Sequence, residues 1–251
     1  MREKFKNNFP SIILFFLLIA IWQISCDIGV VSSYLLPSPL SIISSLISKF
    51  DSLSIATGIT IFESIVGLLI GVVLGFFLAC ALDLSKLLKN ALYPYLSISQ
   101  AIPIIAIAPL IVLALGFGQL PKIVLVALMT FFPIAIACLG GFANTNPGLI
   151  EMSKSFGASK LRTLFFVKVP NTLTIFFDSL KISVTYAFSS AVIAEWLGGD
   201  VGLGVIMTRA RKSFDYQTLF ACVIIIIFIT IIFVALVKCL EKKTTRWKAE
   251  V

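Results

Sequence analysis

Apolar runs long enough to cross a bilayer, separated by short charged stretches, constrain this chain more than any other feature. Spanning the hydrocarbon core as a helix takes about 20 mostly apolar residues. The sequence supplies six such runs with few charges, at 10–26, 57–82, 93–115, 122–142, 172–194 and 218–237. The composition agrees: 59% of the 251 residues are hydrophobic, 13% are charged, and mean hydropathy is +1.07. An all-α integral membrane protein with six transmembrane helices in a single domain, 1–251, is therefore expected. The runs leave only short loops and tails, too little for a separate catalytic domain, so function is expected inside the membrane and at its rim.

The first run follows MREKFKNN and is long for the apolar part of a secretory signal, with no small-residue cleavage site before Cys26. A retained first span is expected. Basic flanks resist translocation. With the amino terminus inside, the cytoplasmic segments carry fourteen Lys and Arg and the outer segments five, which predicts that both termini are cytoplasmic. The net charge of +8 follows from this bias and from attraction to anionic headgroups, so membrane lipid is an expected partner and nucleic acid is not. Five scattered cysteines without CxxC spacing and no histidine point away from a disulfide framework, a metal site and the commonest general base.

Within this framework a few positions stand out. In LLPSPLSIISSL, Ser38 can cap a short amphipathic helix starting at Pro39, expected to rest on the outer membrane surface. Gly67, Gly71 and Gly75 put three positions without side chains on one helix face, and packing within one chain is favoured over a seam between subunits because such faces are common in membrane bundles. In the third run, Pro94, Pro103 and Pro109 predict a broken helix facing a pathway, with Gln100 just before the kink as a lining residue. Three ionisable residues fall within spans: Glu63, Asp178 and Lys181. Each costs about 2.5 to 3.5 kcal/mol at a lipid-facing helix centre, so all three are expected to face protein or water. Asp178 and Lys181 are three apart and can pair. Glu63 has no partner on its own helix and is expected within reach of outside water. Candidate pathway residues are thus Glu63, Gln100, Pro103, Asp178 and Lys181.

The charged stretch EMSKSFGASKLRTLFFVKVP, residues 151–170, lies between the fourth and fifth runs on the cytoplasmic side. Asn146 and Pro147 form an N-cap and first-turn pair, and Glu151 follows early enough to favour the positive end of the helix dipole. Gly157 suits a left-handed helix end. A second short helix can begin at Ser159 and is expected to stop near Pro170, whose ring blocks continuation. Two short helices joined at Gly157 would present charge on one side and Leu161, Leu164 and Phe165 on the other. Such a protruding knob is shaped to dock another protein.

These residues carry a resemblance. Glu151-Met-Ser, Gly157 and Val167-Lys-Val-Pro170 match the EAA motif of ABC importer permeases: EAA, three residues, G, nine residues, then I-x-L-P. The spacing is complete; Met152, Ser153, Val167 and Val169 depart conservatively. SQAIPIIAIAPLIVLALGFG, AVIAEWLGGDVGLGVIM and LLPSPLSIISSL resemble the subgroup serving nitrate, sulfonate, taurine and thiamine-pyrimidine-precursor uptake. The resemblance covers nearly the whole chain. It implies a type I ABC importer permease in a bacterial-type plasma membrane, working as two copies with cytoplasmic ATPase subunits and an extracytoplasmic binding protein. It implies that 144–170 is the coupling-helix loop, with Gly157 and Pro170 setting its shape, Glu151 its start, and Ala158 and Ser159 its closest approach to the ATPase. No G-x-x-x-x-G-K-[ST] phosphate loop occurs, so ATP and Mg belong to the partner subunit, and no cofactor or catalytic residue is expected in this chain.

A different class of function competes: a secondary transporter driven by an ion gradient, with Glu63 or Asp178 as proton carrier. An intramembrane enzyme is weaker, since no histidine or paired-carboxylate motif is available. For the substrate, nitrate- and sulfonate-type relatives often have a basic residue where Glu63 stands, and an acid there would repel anions from a low-dielectric passage. With TRARKSF at 208–214, this resembles permeases for a hydroxymethylpyrimidine-type thiamine precursor more than nitrate, sulfonate or taurine permeases.

Overall fold

The computed structural model describes residues 2–30, 32, 36–99 and 101–245, and the side chains of 2–9, 11, 12 and 104 fall outside that description, as does Gln100. Among the described residues the chain is helical throughout. The helices are α1 Arg2–Asp27, α2 Pro39–Ser48, α3 Phe50–Leu84, α4 Lys86–Ser99, α5 Ile104–Leu115, α6 Gln119–Ala143, α7 Pro147–Ser155, α8 Lys160–Thr163, α9 Val169–Gly198, α10 Leu203–Lys212 and α11 Tyr216–Thr244. A π-helical turn, Leu164–Lys168, joins α8 to α9.

By length and composition, α3, α6 and α11 are each able to cross a membrane, and a fourth span is counted if Lys160–Gly198 and Leu203–Lys212, bent by 53°, form one unit. The apolar stretches Ile13–Asp27 and Ile105–Leu115 are shorter. Among the described residues the expectation of six spans is met at three or four positions; the third run is interrupted, and the described apolar stretch of the first is only 13–27. For the third run the reason is local: the chain is not helical at 101–103, and Pro103 leads into a new helix.

The centre of the bundle is the trio α3, α6 and α9. Gly67, Gly71 and Gly75 lie on the α3 face against α6, where a Cβ would overlap Val126, Thr130 and the Phe131 carbonyl in turn. These glycines therefore pack within one chain, as expected. Lipid tails are as apolar as leucine, so it is close backbone approach and van der Waals contact that hold such a seam. One apolar core joins Leu53, Val184, Phe188, Leu203, Cys222 and Ile229 from α3, α9, α10 and α11. The other joins Ala79, Leu82, Ile134, Phe142 and Leu164 at the opposite end. Leu69, Val73, Leu74 and Phe77 of α3 stay exposed, as a lipid-facing surface requires.

Ser38 caps α2 as expected, its hydroxyl accepting from the Ser41 N–H at 3.3 Å. That helix is docked on protein: Ile42 is fully buried and Ser45 Oγ lies 3.0 Å from Thr218 Oγ1 of α11.

Candidate functional site

Two features share helix α9, a charged loop at its start and a cavity along its length. In the loop, Asn146 Oδ1 accepts from the Gly148 N–H at 2.8 Å with Pro147 in the first turn, so α7 begins where the residue types demand. Gly157 takes φ +76°, the left-handed region that a Cβ disfavours, and reverses the chain. Ser159 then caps α8, accepting from the Arg162 N–H at 3.3 Å, and Ser153 Oγ sits 2.9 Å from Thr163 Oγ1 to tie the two short helices together. Leu164 anchors the loop, fully buried, whereas Leu161, Phe165 and Phe166 are exposed. No residue of α7 is buried, and Phe156 at its end is 83% exposed. A globular surface seldom leaves an aromatic so bare beside Met152 and Leu149 without a use for it.

Two expectations for the loop need correction. Glu151 lies beyond the first turn of α7, which contains no acid, so the helix dipole does not account for it; the dipole's influence fades after one turn. Pro170 does not end a helix. The Val169 N–H bonds to the Leu164 carbonyl, five residues back, and this widened turn accommodates the proline ring within the first turn of α9. The loop thus runs into α9 without a break. Ala158 is half-buried beneath it.

The cavity, about 800 Å³, opens between α6, α9 and the α4–α5 break. Its α9 wall comprises Ile175, Asp178, Ile182, Tyr186, Ser189 and Ile193, a three-and-four spacing that gives one helix face. The α6 wall is apolar, with Met129, Phe132, Pro133 and Ile136. Ser99 and Ile102 close it from the broken third run. Ser189 Oγ donates to the Thr185 carbonyl at 2.9 Å and Ser190 Oγ to the Tyr186 carbonyl at 2.6 Å, leaving their lone pairs to accept from a solute. Among the described residues lining it, Asp178 is the only charged one. Lys181 Nζ pairs with Asp178 at 2.6 Å and donates to Glu241 Oε2 of α11 at 3.1 Å.

Residues 71–246 match the family described as the binding-protein-dependent transport system inner membrane component. The chain belongs to that family. It is 34% identical over 249 residues to a formylaminopyrimidine transport permease protein of Halalkalibacterium halodurans, covering 99% of each chain. It is 29% identical over 237 residues to a putative aliphatic sulfonates transport permease protein of Bacillus subtilis, covering 92% of this chain and 84% of that one. Its fold is similar to that of a chain in the inward-facing MetNI methionine ABC transporter, with TM-score 0.67 and 18% identity over 79% of this chain and 97% of that chain. This inner membrane component is an ABC importer permease subunit of the type I fold, and the ATPase is a separate subunit. The ion-driven secondary transporter and the intramembrane enzyme drop out as readings.

In this permease component the expected pathway residues separate. Asp178 lines the cavity, and Lys181 stands behind it, turned toward α11. Pro103 is exposed and caps α5 next to the cavity-lining Ile102. Gln100 lies outside the described residues. Glu63 is elsewhere and out of reach of water: it is fully buried, and Lys122 Nζ donates to its Oε1 at 2.6 Å. Buried against a lysine from α6, Glu63 does not face the cavity and raises no barrier to anions there. Two functional-looking residues were not found from sequence. Lys122 opens one apolar run and Glu195 follows directly on another, so neither has a partner nearby in the sequence. An acid there, followed by GGDVGLG, was the available signal.

Proposed function

We propose that this permease component moves a small nitrogen-rich heteroaromatic solute, of the formylaminopyrimidine or hydroxymethylpyrimidine kind, through the cavity along α9. The loop at 144–170 is the seat for a cytoplasmic ATPase subunit, and both termini share its side. The observation that carries this is continuity: α9 joins the loop through the π turn and lines the cavity from Ile175 to Ile193, about 27 Å of one helix. A tilt imposed at Gly157–Ser159 is delivered to the cavity wall as a rigid rotation. Because coupling is a free energy shared between sites, the loop must make different contacts in the two states of the ATPase.

A second copy closes the open side of the cavity with the same face, and an external binding protein delivers the solute. The whole-length formylaminopyrimidine relative supports the substrate class, and so do the cavity's acceptor-rich hydroxyls, the Tyr186 ring and the Asp178 carboxylate. A sulfonate substrate is the second reading, favoured by the Bacillus subtilis relative and by the neutralisation of Glu63.

Reconstitution with the partner ATPase and binding protein tests both. Uptake of a labelled aminopyrimidine in preference to taurine is expected, and preferential taurine uptake replaces the first reading with the second. Cross-linking of a Ser159→Cys variant to the ATPase subunit is expected; a cysteine there that is reached only from outside the cell overturns the coupling role.

A further inference from the structure

Lys181 stands where two faces of α9 meet. Asp178 and Ile182 line the large cavity, while Phe177, Val184 and Phe188 turn to the core shared with Ile229 and Val237 of α11. Packing sets the register between the two helices. The Phe188 and Phe233 rings lie 5.3 Å apart, and about two turns further along each of these antiparallel helices Lys181 Nζ meets Glu241 Oε2 at 3.1 Å. Val237 is buried one turn before Glu241, so the carboxylate projects from the same α11 face toward α9.

The ammonium of Lys181 is therefore divided. Asp178 Oδ1 lies 2.6 Å from it on a side chain 60% exposed along the cavity, whereas the Glu241 side chain is only 16% exposed. No described residue of α11 lines the cavity, so Glu241 is out of a solute's reach. Lys238, Lys242 and Lys243 share this end of α11, but they are exposed, and exposed charges are screened far more than covered ones.

Two carboxylates thus answer one ammonium. Held by Asp178 alone, Lys181 would leave a neutral pair on the cavity wall. Because Glu241 competes for the same ammonium, the Asp178 carboxylate keeps lone pairs and negative charge for a solute. The facing α6 wall is apolar, and a single sign of charge in a cleft with low-dielectric walls is felt strongly by what enters it.

We propose that Glu241, though outside the cavity, is a specificity-determining positioning residue: by drawing Lys181 off Asp178 it makes the cavity favour solutes that carry positive charge or hydrogen-bond donors and disfavour anions. Its role in uptake rests on the cavity being the passage proposed above; the charge it leaves on the cavity wall does not. A pair that merely pinned α11 to α9 would add stability and leave the cavity's preference alone.

Thiol chemistry on the full chain in detergent reads that charge without any transport. With Cys26→Ser and Cys239→Ser removing the cysteines that are not buried, Ile182→Cys places one thiol on the cavity face, a turn from Asp178. Rates with a trimethylammonium-bearing and a sulfonate-bearing methanethiosulfonate are compared, each relative to a free thiol. The cationic reagent is expected to be preferred; Glu241→Gln should lower that preference severalfold and Lys181→Met should raise it. Added to Lys181→Met, Glu241→Gln should matter much less, since its intermediary is gone. No preference in the parent, no response to Glu241→Gln, or an equal response with and without Lys181 overturns the relay. If Ile182→Cys does not fold, Ser189→Cys on the same face gives the same reading.

Reconstituted uptake separates the relay from the passage. Glu241→Gln should raise the KM for an aminopyrimidine severalfold; if taurine proves to be the solute carried, the same variant should lower its KM, and the relay survives the loss of the pyrimidine reading. A shifted reagent preference with every KM unchanged overturns both the cavity as the passage and Glu241 as a specificity residue.

Discussion

Lys168 Nζ grips both carboxylate oxygens of Asp83, at 2.7 and 2.8 Å, and so ties the exit of the 144–168 loop to the end of α3. Both side chains are largely buried, at 18% and 11% exposure, and a charge-assisted pair of this kind is among the stronger hydrogen bonds available to a protein. Asp83→Ala leaves an ammonium with no partner, and a loss of about 1–3 kcal/mol in unfolding free energy is expected. The exchange Asp83→Lys with Lys168→Asp should recover part of that loss. Without recovery, the pair is not what holds the loop's exit.

Gly157 tests the knob's shape apart from its packing. Its φ is +76° and nothing lies within 4 Å of a Cβ built there, so the cost of substitution comes from the backbone alone, about 1–2 kcal/mol for a non-glycine residue held left-handed. Asn, which tolerates that region, should be nearly silent. A bulky β-branched residue such as Val should leave the permease inserted but uncouple transport from the ATPase. Normal uptake with normal ATPase stimulation in Gly157→Val removes the docking role.

Gly71 and Gly140 make a matched pair on the opposite question. A methyl at Gly71 overlaps Thr130 Oγ1 and lies 2.5 Å from the Ala127 carbonyl, whereas one at Gly140 meets nothing within 4 Å. Gly71→Ala should destabilise by about 1–3 kcal/mol, the usual cost of overpacking, and Gly140→Ala should change stability by less than about 1 kcal/mol. Thermal unfolding in detergent distinguishes them, and equal behaviour would mean that α3 and α6 are not in close contact at Gly71.

At the start of α11, Asp215 caps the helix and pairs with Lys49, while Thr218 donates to it through both its N–H and its hydroxyl. Burial opposes ionisation of Asp215, but the hydrogen bonds from Lys49 and Thr218 outweigh it and hold the carboxyl below the usual aspartate range. The unfolded chain takes up its proton first, near the ordinary value of about 3.9. The stabilisation is therefore complete above that value and is lost as pH falls through the lower folded one. Midpoint temperature in wild type should drop more steeply below about pH 4 than in Asp215→Asn; parallel curves would show that this cap adds nothing to stability.

The parts of the protein legible in sequence are those decided by neighbours along the chain. Asn146-Pro147, Gly157 and Ser159 each act on backbone within four residues, and each stands where its chemistry requires. The glycine face of α3 was legible because its period matches a helix. The burial of Glu63 was not legible because its partner Lys122 is 59 residues away, and a charge match between helices leaves no local spacing to read. The tolerance of Pro170 was not legible because it rests on the π turn Leu164–Lys168, which has no sequence signature of its own. The broken third run was visible from its prolines, yet how α6 and α9 use that break to open a cavity was set by packing alone.

Asp178 decides between the two solute classes. It faces the cavity, 60% exposed, while its partner Lys181 is shared with Glu241, so two carboxylates face one ammonium and the site has a surplus of acceptor character. An aminopyrimidine donates hydrogen bonds to such a carboxylate, and hydrogen bonds to charged groups contribute about 1.5–3 kcal/mol, or roughly 10- to 150-fold in apparent affinity. A sulfonate is repelled by the same group. Asp178→Asn should therefore raise the KM for aminopyrimidine uptake by about tenfold or more while leaving the ATPase's basal turnover and the protein's unfolding temperature nearly unchanged. If the same substitution instead lowers KM and admits taurine more readily, the cavity handles anions despite Asp178, and the pyrimidine reading gives way to the sulfonate one.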